Sequence, residues 1–369
     1  MRYRVIQWAT GAMGKTCLRA LIDDPRMQLV GLYVYGQDKA GRDAGDIARR
    51  PATGVIATRD VDEILALEAD VVIHCARLAP PYGSHDTEIL RLLAAGKNVI
   101  SINGYSCPEH WGGERLAALQ AACAAGRSTL MAAGLNPGFA AEQLAVVATG
   151  VCSELDQVEV VESVDCRAVR NPDYVFQILG FGSDPATVDA NDPAWGPASS
   201  LNGMYAEVIA AMAEHLGLDL DRIDTDHRVF PATEDLSVAA GPIARGRVSH
   251  VNWRWLGVVG GAPKLIMSIH WYMEPAHLDE LDPPLWRIHV RGQPGVRISV
   301  ELEKRVGDAT ATSAEQLGVA GTVINAIPRV CAAPPQFANP RSSCAPAGSR
   351  WRRRKVLACR RQEQWAIHR

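Results

Sequence analysis

The rhythm of apolar positions changes partway along the chain. In the first 135 residues, short and nearly continuous apolar runs alternate with stretches whose apolar residues recur at helical spacing. The runs predict strands near 2–8, 28–35, 70–76, 98–103 and 128–133, and the helical spacing predicts helices near 13–24, 85–95 and 113–125. "ADVVIHCA" and "KNVISIN" are apolar enough for strands covered on both faces, as in a parallel sheet. This alternation predicts a doubly wound α/β sheet with right-handed crossovers, and ligands bound beyond the carboxyl ends of its strands.

After "GLNPGF", residues 134–139, the period becomes two. "QVEVVESVDCR", "HVNWRWLGVV", "KLIMSIHWYM", "LWRIHVRG" and "VRISVELE" read as antiparallel strands with one buried face, and the helix "MYAEVIAAMAEHLG" interrupts them. The expected division is a nucleotide-binding domain over 1–135 and an α+β domain with a mostly antiparallel sheet over 136–312. A helix over 313–335 packs back on the first domain, and a tail follows over 336–369. No metal site is expected in the chain: His250, Trp253, Trp255, His270 and Trp271 lie on the strands without ligand spacing. They read as a sheet surface or a subunit contact face.

The first strand–helix junction reads "VIQWATGAMGKTCLRAL". Gly11 and Gly14 occupy the second and third glycine positions of a dinucleotide-binding turn: one lets the backbone approach a pyrophosphate, the other lets helix pack on strand. Ala9 stands at the first glycine position and is expected to keep a negative φ. Thr10, Gly11, Ala12, Met13 and Gly14 are the candidate cofactor-binding residues, with helix amides offered to phosphate. After the second strand, Val34 and Tyr35 stand where an NAD site usually has an acid, and Asp38 comes late. Lys39 and Arg42 can meet a 2′-phosphate, which favours NADP over NAD. Small residues at Cys75 and Ala76 would let a cofactor cross the end of the fourth strand, and His74 reads as a buried, hydrogen-bonded histidine.

Composition narrows the class. The chain has 369 residues, 47% of them hydrophobic, and lacks an apolar run of membrane-spanning length or a secretory signal, so a cytoplasmic protein is expected. Its nine cysteines include no C-x-x-C pair, which argues against a disulfide framework. The formal charge of −3 divides into +8 over residues 341–369 and −11 over the remainder. An acidic body does not suit nucleic acid. The tail reads as a disordered extension, consistent with translation from a shifted reading frame; a basic arm for nucleic acid or anionic membrane is the alternative.

The stretches "VIQWATGAMG", "YGQDKAGRDAGDIA", "ADVVIHCA", "GKNVIS", "GLNPGF" and "VINAIPRVCAAPP" together resemble the dihydrodipicolinate reductase-like family, which includes 2,4-diaminopentanoate dehydrogenase and NAD(P)-dependent amine dehydrogenases. The resemblance covers residues 3–335. It implies an N-terminal Rossmann domain, a cleft-forming C-terminal domain that makes a homodimer, an NADP or NAD cofactor and a small-molecule substrate. It also implies hydride transfer at a carbonyl or imine carbon, with Asn136 beside the nicotinamide. Where family amine dehydrogenases resemble one another in I-S-T-C-E-E, this chain reads "ISINGYSCPEH", so Gly104 takes the place of the first glutamate. Weak reductive amination is therefore expected, and a cofactor-binding sensor or scaffold without turnover is the alternative. Glu109 is a candidate replacement acid, and Tyr174 a candidate cleft residue from the second domain.

Overall fold

In the first strand, Val5 and Gln7 face one side of a sheet while Ile6 and Trp8 face the other, and all four are fully buried. That two-sided burial is what the apolar runs encode. The structure, a computed structural model, describes residues 2–338. Its first sheet is formed by β1 (Tyr3–Trp8), β2 (Met27–Tyr33), β3 (Ala57–Thr58), β4 (Val71–His74), β5 (Asn98–Ser101) and β6 (Leu130–Ala132), paired in parallel in the order β3-β2-β1-β4-β5-β6. The order reverses between β1 and β4, which creates the crevice where ligands of such sheets bind.

Helices cover both faces. On the Ile6 side lie α3 (Val61–Ala66), α4 (Asp86–Ala94) and α5 (Gly113–Gly126), contributing Ile64, Leu92 and Leu119 to one core. On the Val5 side lies α1 (Ala12–Asp23), while α2 (Ala44–Ala48) closes the edge beyond β2. The elements α2, β3 and α3 were not foreseen. They are five, two and six residues long, too short to show a period, although Asp43 and Asp60 cap the two helices through backbone N–H groups of Gly45, Asp62 and Glu63.

After the short α6 (Val146–Ala148), the second sheet begins with β7 (Glu154–Asp165). The helix α7 (Gly196–Leu216) follows, then β8 (Arg222–Thr225), β9 (Arg228–Pro231) and the small hairpin β10 (Leu236–Val238) and β11 (Gly241–Ile243). The remaining strands are β12 (Val248–Val259), β13 (Ala262–Tyr272), β14 (Trp286–Gln293) and β15 (Val296–Val300). The order is β15-β14-β7-β13-β12-β8, with β9 also on β12. All pairs are antiparallel except β7 with β13.

Tyr205, Val208 and Met212 of α7 meet Val158, Val160, Trp253 and Trp255 in the main core. The reading of Trp253 and Trp255 as surface is thus corrected: both indoles sit on the strand parity that faces α7 and are at most 1% exposed. His250 and His270 take the opposite face and bond to each other, Nε2 to Nδ1, at 2.9 Å.

The last helix, α8 (Ala314–Ala332), starts in a Ser313–Gln316 capping box and buries Val323, Ile327 and Val330 beside Cys17, Leu21 and Ile73 of the first domain. The chain then pairs with the edge of β6: Leu130 N–H donates to the Gln336 carbonyl at 3.1 Å, and Ala338 N–H to the Leu130 carbonyl at 2.8 Å. This pairing carries through the boundary expected at 336, and the rest of the basic tail lies outside the described residues. No helix among the described residues is long and apolar enough to cross a membrane.

Candidate active site in the inter-domain cleft

At the end of β1 the chain turns through Ala9, whose φ is +72°. The expected negative φ is corrected, and the cause is the helix above. A Cβ on Gly14 would lie 2.2 Å from the Ala9 carbonyl oxygen, so the turn must tuck that carbonyl under α1. Gln7 Nε2 donates to the same oxygen at 3.0 Å. A left-handed alanine costs on the order of 1–2 kcal/mol, retained where the surroundings over-determine it. Gly11 differs, because a Cβ there meets nothing within 4 Å. No side chain caps α1 and no acid sits in its first turn. The amides at Ala12 and Met13 therefore face open space at the positive end of the helix, an arrangement that fits a pyrophosphate.

Beside this turn lies a cavity of about 330 Å³ lined by Lys15, Arg19, Lys39, Arg42, Asp46 and Arg49, with Ile47. Lys39 Nζ donates to the Thr10 carbonyl at 3.2 Å, which ties it to the turn. Burial, then the charges of Lys39, Arg19 and Arg49, hold the Lys15 ammonium below its usual pKa. Such crowding of cations around one acid is the environment an anion relieves. Arg19 and Arg49 were not singled out in the sequence, because they reach the cavity from α1 and from the end of α2.

Cys75 stands at the end of β4. It is buried beneath α1 near Gly14, with its thiol against Cys17. The Ala76 carbonyl accepts from Asn103 Nδ2 at 2.5 Å, which joins the ends of β4 and β5. His74 is 1% exposed and bonded through Nε2 to Glu88, as its sequence context suggested.

Gly104 has φ +95°, and a Cβ there would lie 2.2 Å from the Tyr82 hydroxyl. Tyr82 thus occupies the room a side chain would need; its hydroxyl accepts from Tyr105 N–H at 3.0 Å and its ring lies against Gly203 of α7. Gly104→Glu alone is therefore expected to cost about 1–3 kcal/mol in backbone strain, with the clash in addition. Denaturant unfolding checks this, with Tyr82→Ala expected to recover part of the loss in the double variant.

Acids do reach the cleft, from elements the sequence reading passed over. Glu162 of β7 accepts a short hydrogen bond from Asn136 Nδ2. Burial pushes its carboxyl up to about 7; Asn136 and the Trp286 indole partly oppose this, and Glu315 adds to it. The Trp286 indole N–H faces it across the strand pair. Glu142, 1% exposed, accepts from Ser106 Oγ and from Gly138 N–H, both at 2.9 Å. Glu207 of α7, fully buried, accepts from Trp111 Nε1. Burial raises the pKa of both. The signal for Glu162 lay in the alternation: it shares parity with Val158 and Val160, an acid on the inward face.

Asn136 thus stands at the end of β6 with its amide nitrogen on Glu162 and its Oδ1 buried without a partner. The Tyr205 hydroxyl donates to its backbone carbonyl at 3.4 Å. Tyr174 lies in a turn over Asp173–Ile178; burial raises its pKa, the Cys166 thiol adds to this, and Arg77 from the loop after β4 opposes it. Glu109 is exposed in a turn over Pro108–Trp111. The structure therefore joins Asn136 to Glu162 rather than to Glu109.

Residues 5–80 match the family model described as dihydrodipicolinate reductase, N-terminus. The chain is 25% identical over 332 residues to an amine dehydrogenase of Streptomyces virginiae, covering 85% of this chain and 89% of that protein. A 4-hydroxy-tetrahydrodipicolinate reductase of Ruegeria pomeroyi is 31% identical over 180 residues, covering 48% of this chain and 62% of the reductase. Among solved structures, amine dehydrogenase from Mycobacterium smegmatis shares the fold with a TM-score of 0.73 at 20% identity, over 92% of this chain and 95% of that one.

Proposed function

We propose that the chain is an NADPH-dependent oxidoreductase of the dihydrodipicolinate reductase-like family, acting on the carbonyl or imine carbon of a small substrate, a reading supported by the match of residues 5–80 and by the similarity to the two curated relatives. The two curated relatives it resembles are an amine dehydrogenase and a reductase. The observation that carries the reading is the pairing of Asn136, just after β6 at the end of the first domain's sheet, with Glu162 of β7 in the second domain. A bound nicotinamide supplies the hydride. Reduction of a C=O or C=N bond also needs a proton on the heteroatom. A carboxyl with a pKa of about 7 is protonated about half the time at neutral pH, so Glu162 can give that proton and take it back in the reverse direction. Asn136 holds the carboxyl by one end of its amide and presents Oδ1 as an unsatisfied acceptor, suited to the N–H of a carboxamide or amine.

This arrangement changes the meaning of Gly104. The carboxylate missing there is replaced by one from the second domain, so ammonia-dependent turnover is compatible with the site. The test is NADPH consumption on a panel of ketones and aldehydes, with and without high ammonia. Absence of NADPH binding by the full chain would overturn the proposal, and binding without turnover on any of them would favour the sensor or scaffold alternative.

The basic cavity supports NADPH over NADH. Charge-assisted hydrogen bonds contribute about 1.5–3 kcal/mol each, so Arg19→Ala or Arg42→Ala is expected to weaken NADPH binding roughly 10- to 100-fold. NADH, which lacks the 2′-phosphate, should respond little. Fluorescence titration of both nucleotides checks this, and equal losses for the two would show that these side chains serve the fold instead. Homodimer formation through the second domain is part of the same reading.

A further inference from the structure

We propose that His74, His85 and Glu88 form a binding site for a divalent cation of the zinc type, clamping the loop that joins β4 to α4. Glu88 Oε2 lies 3.1 Å from His74 Nε2 and 3.4 Å from His85 Nδ1, and the three ligand atoms all fall within 4.8 Å of one another. Ligands held at about 2.0–2.2 Å by a tetrahedral ion stand roughly 3.3–3.5 Å apart. The carboxylate is therefore already at ligand spacing from both imidazoles.

The surrounding groups orient the set. His85 Nε2 lies 2.9 Å from the Arg77 carbonyl, which can only accept, so that nitrogen carries the proton and Nδ1 presents its lone pair toward Glu88. The Tyr35 hydroxyl bonds both Glu88 oxygens, at 2.9 and 2.7 Å, and accepts from Trp8 Nε1 at 3.0 Å. His74 is buried, while the His85 and Glu88 side chains keep 19% and 26% of their surface, so an ion can enter. A neighbouring cavity of about 10 Å³, lined in part by His74 and His85, has room for roughly one water as a fourth ligand. Two imidazoles and a single carboxylate suit zinc or its borderline neighbours. Calcium and magnesium prefer sites built from oxygen.

The position gives the ion a consequence. The clamped segment carries Tyr82, which packs against Gly203 of α7, so occupancy stiffens the piece of the first domain that touches the second. The far nitrogen of His74 has no partner. Outer-shell partners typically contribute roughly 10–100-fold in affinity, so micromolar binding is expected rather than the tighter grip of a fully supported site.

The test uses the untagged full chain stripped with chelator, titrated with Co²⁺ for its visible d–d spectrum and with Zn²⁺ by calorimetry. One equivalent should bind, with the intense Co²⁺ bands of a low-coordinate site. His85→Ala and Glu88→Gln should each weaken Zn²⁺ by more than the roughly 10–100-fold expected for the outer-shell change Tyr35→Phe. His289→Ala, on the second sheet, should bind Zn²⁺ as the unmodified chain does. Circular dichroism confirms that each variant is folded, and His85 and Glu88 are chosen because both reach the surface. No Zn²⁺ binding in the micromolar range, or equal binding by folded His85→Ala and Glu88→Gln proteins, would overturn the site and leave a hydrogen-bonded cluster. Neither readout depends on turnover.

Discussion

Gly14→Val is expected to abolish NADPH binding and to cost the fold about 3 kcal/mol, the upper end for overpacking. The first atom of the new side chain would meet the Ala9 carbonyl oxygen at 2.2 Å and its carbon at 2.8 Å. Both are backbone atoms, and Ala9 cannot yield readily, being held at φ +72° with its carbonyl engaged by Gln7. The helix must lift instead, and Cys17, Leu18 and Leu21, each at most 1% exposed, lose their packing against the sheet. Gly11→Ala provides the contrast. Its Cβ meets no protein atom within 4 Å and its φ of −63° suits any residue. Stability should then stay within about 0.5 kcal/mol, as for an unremarkable surface change, while NADPH binding weakens because the methyl enters the phosphate path. Denaturant unfolding and fluorescence titration separate the two effects. A folded Gly14→Val protein with unchanged NADPH affinity would remove the turn from the cofactor site.

How much of this was legible depended on whether a feature was periodic. The longer strands and helices of the first domain announced themselves because apolar residues repeat over whole elements, as in α1 and β4, whereas α2, β3 and α3 were too short to do so. The alternation of strands and helices predicts the doubly wound class, while the place of the reversal, between β1 and β4, is seen only in the strand order. Ala9 was misjudged because its left-handed φ is imposed by the approach of Gly14, a contact between backbone atoms that leaves no side-chain pattern. Lys39 and Arg42 were readable from their place after the second strand. Arg19 and Arg49 were not, since the cavity they complete is assembled from separate elements.

The acids follow the same rule with one difference. A local substitution at Gly104 drew attention to what was missing, while the acid proposed to replace it lies on β7, remote in sequence. Glu162 did leave a trace, as a charge on the buried parity of an otherwise regular strand. The His74–His85–Glu88 cluster left none, because two of its members come from the start of a helix and the third from the end of a strand.

Glu162→Gln is expected to slow turnover while making the protein more stable above neutral pH. General acid catalysis typically contributes about 10²–10⁴-fold, and glutamine keeps the shape and a hydrogen-bond acceptor for Asn136 while removing the transferable proton. In the unmodified enzyme, reduction should decline as pH rises through about 7, where Glu162 loses its proton. That limb should vanish in the variant, with NADPH affinity unchanged. The stability effect has a definite sign. The folded-state pKa of about 7 lies above the ordinary value of 4.5, so between these the folded chain binds a proton that the unfolded chain has released. Stability therefore falls as pH rises across that window, and the full cost is present above pH 7. The shift corresponds to on the order of 3 kcal/mol, and partial exposure to solvent reduces it toward about 2. Glutamine does not titrate, so the two proteins should match near pH 4 and separate by roughly 2 kcal/mol near pH 8. Glu142 and Glu207 are raised in the same direction and remain in both proteins, so the variant retains a shallower decline of its own. Urea unfolding at several pH values and pH–rate profiles measure the two halves independently. An unchanged pH–rate limb in Glu162→Gln would assign the proton to another group, even if the stability curves diverge as expected.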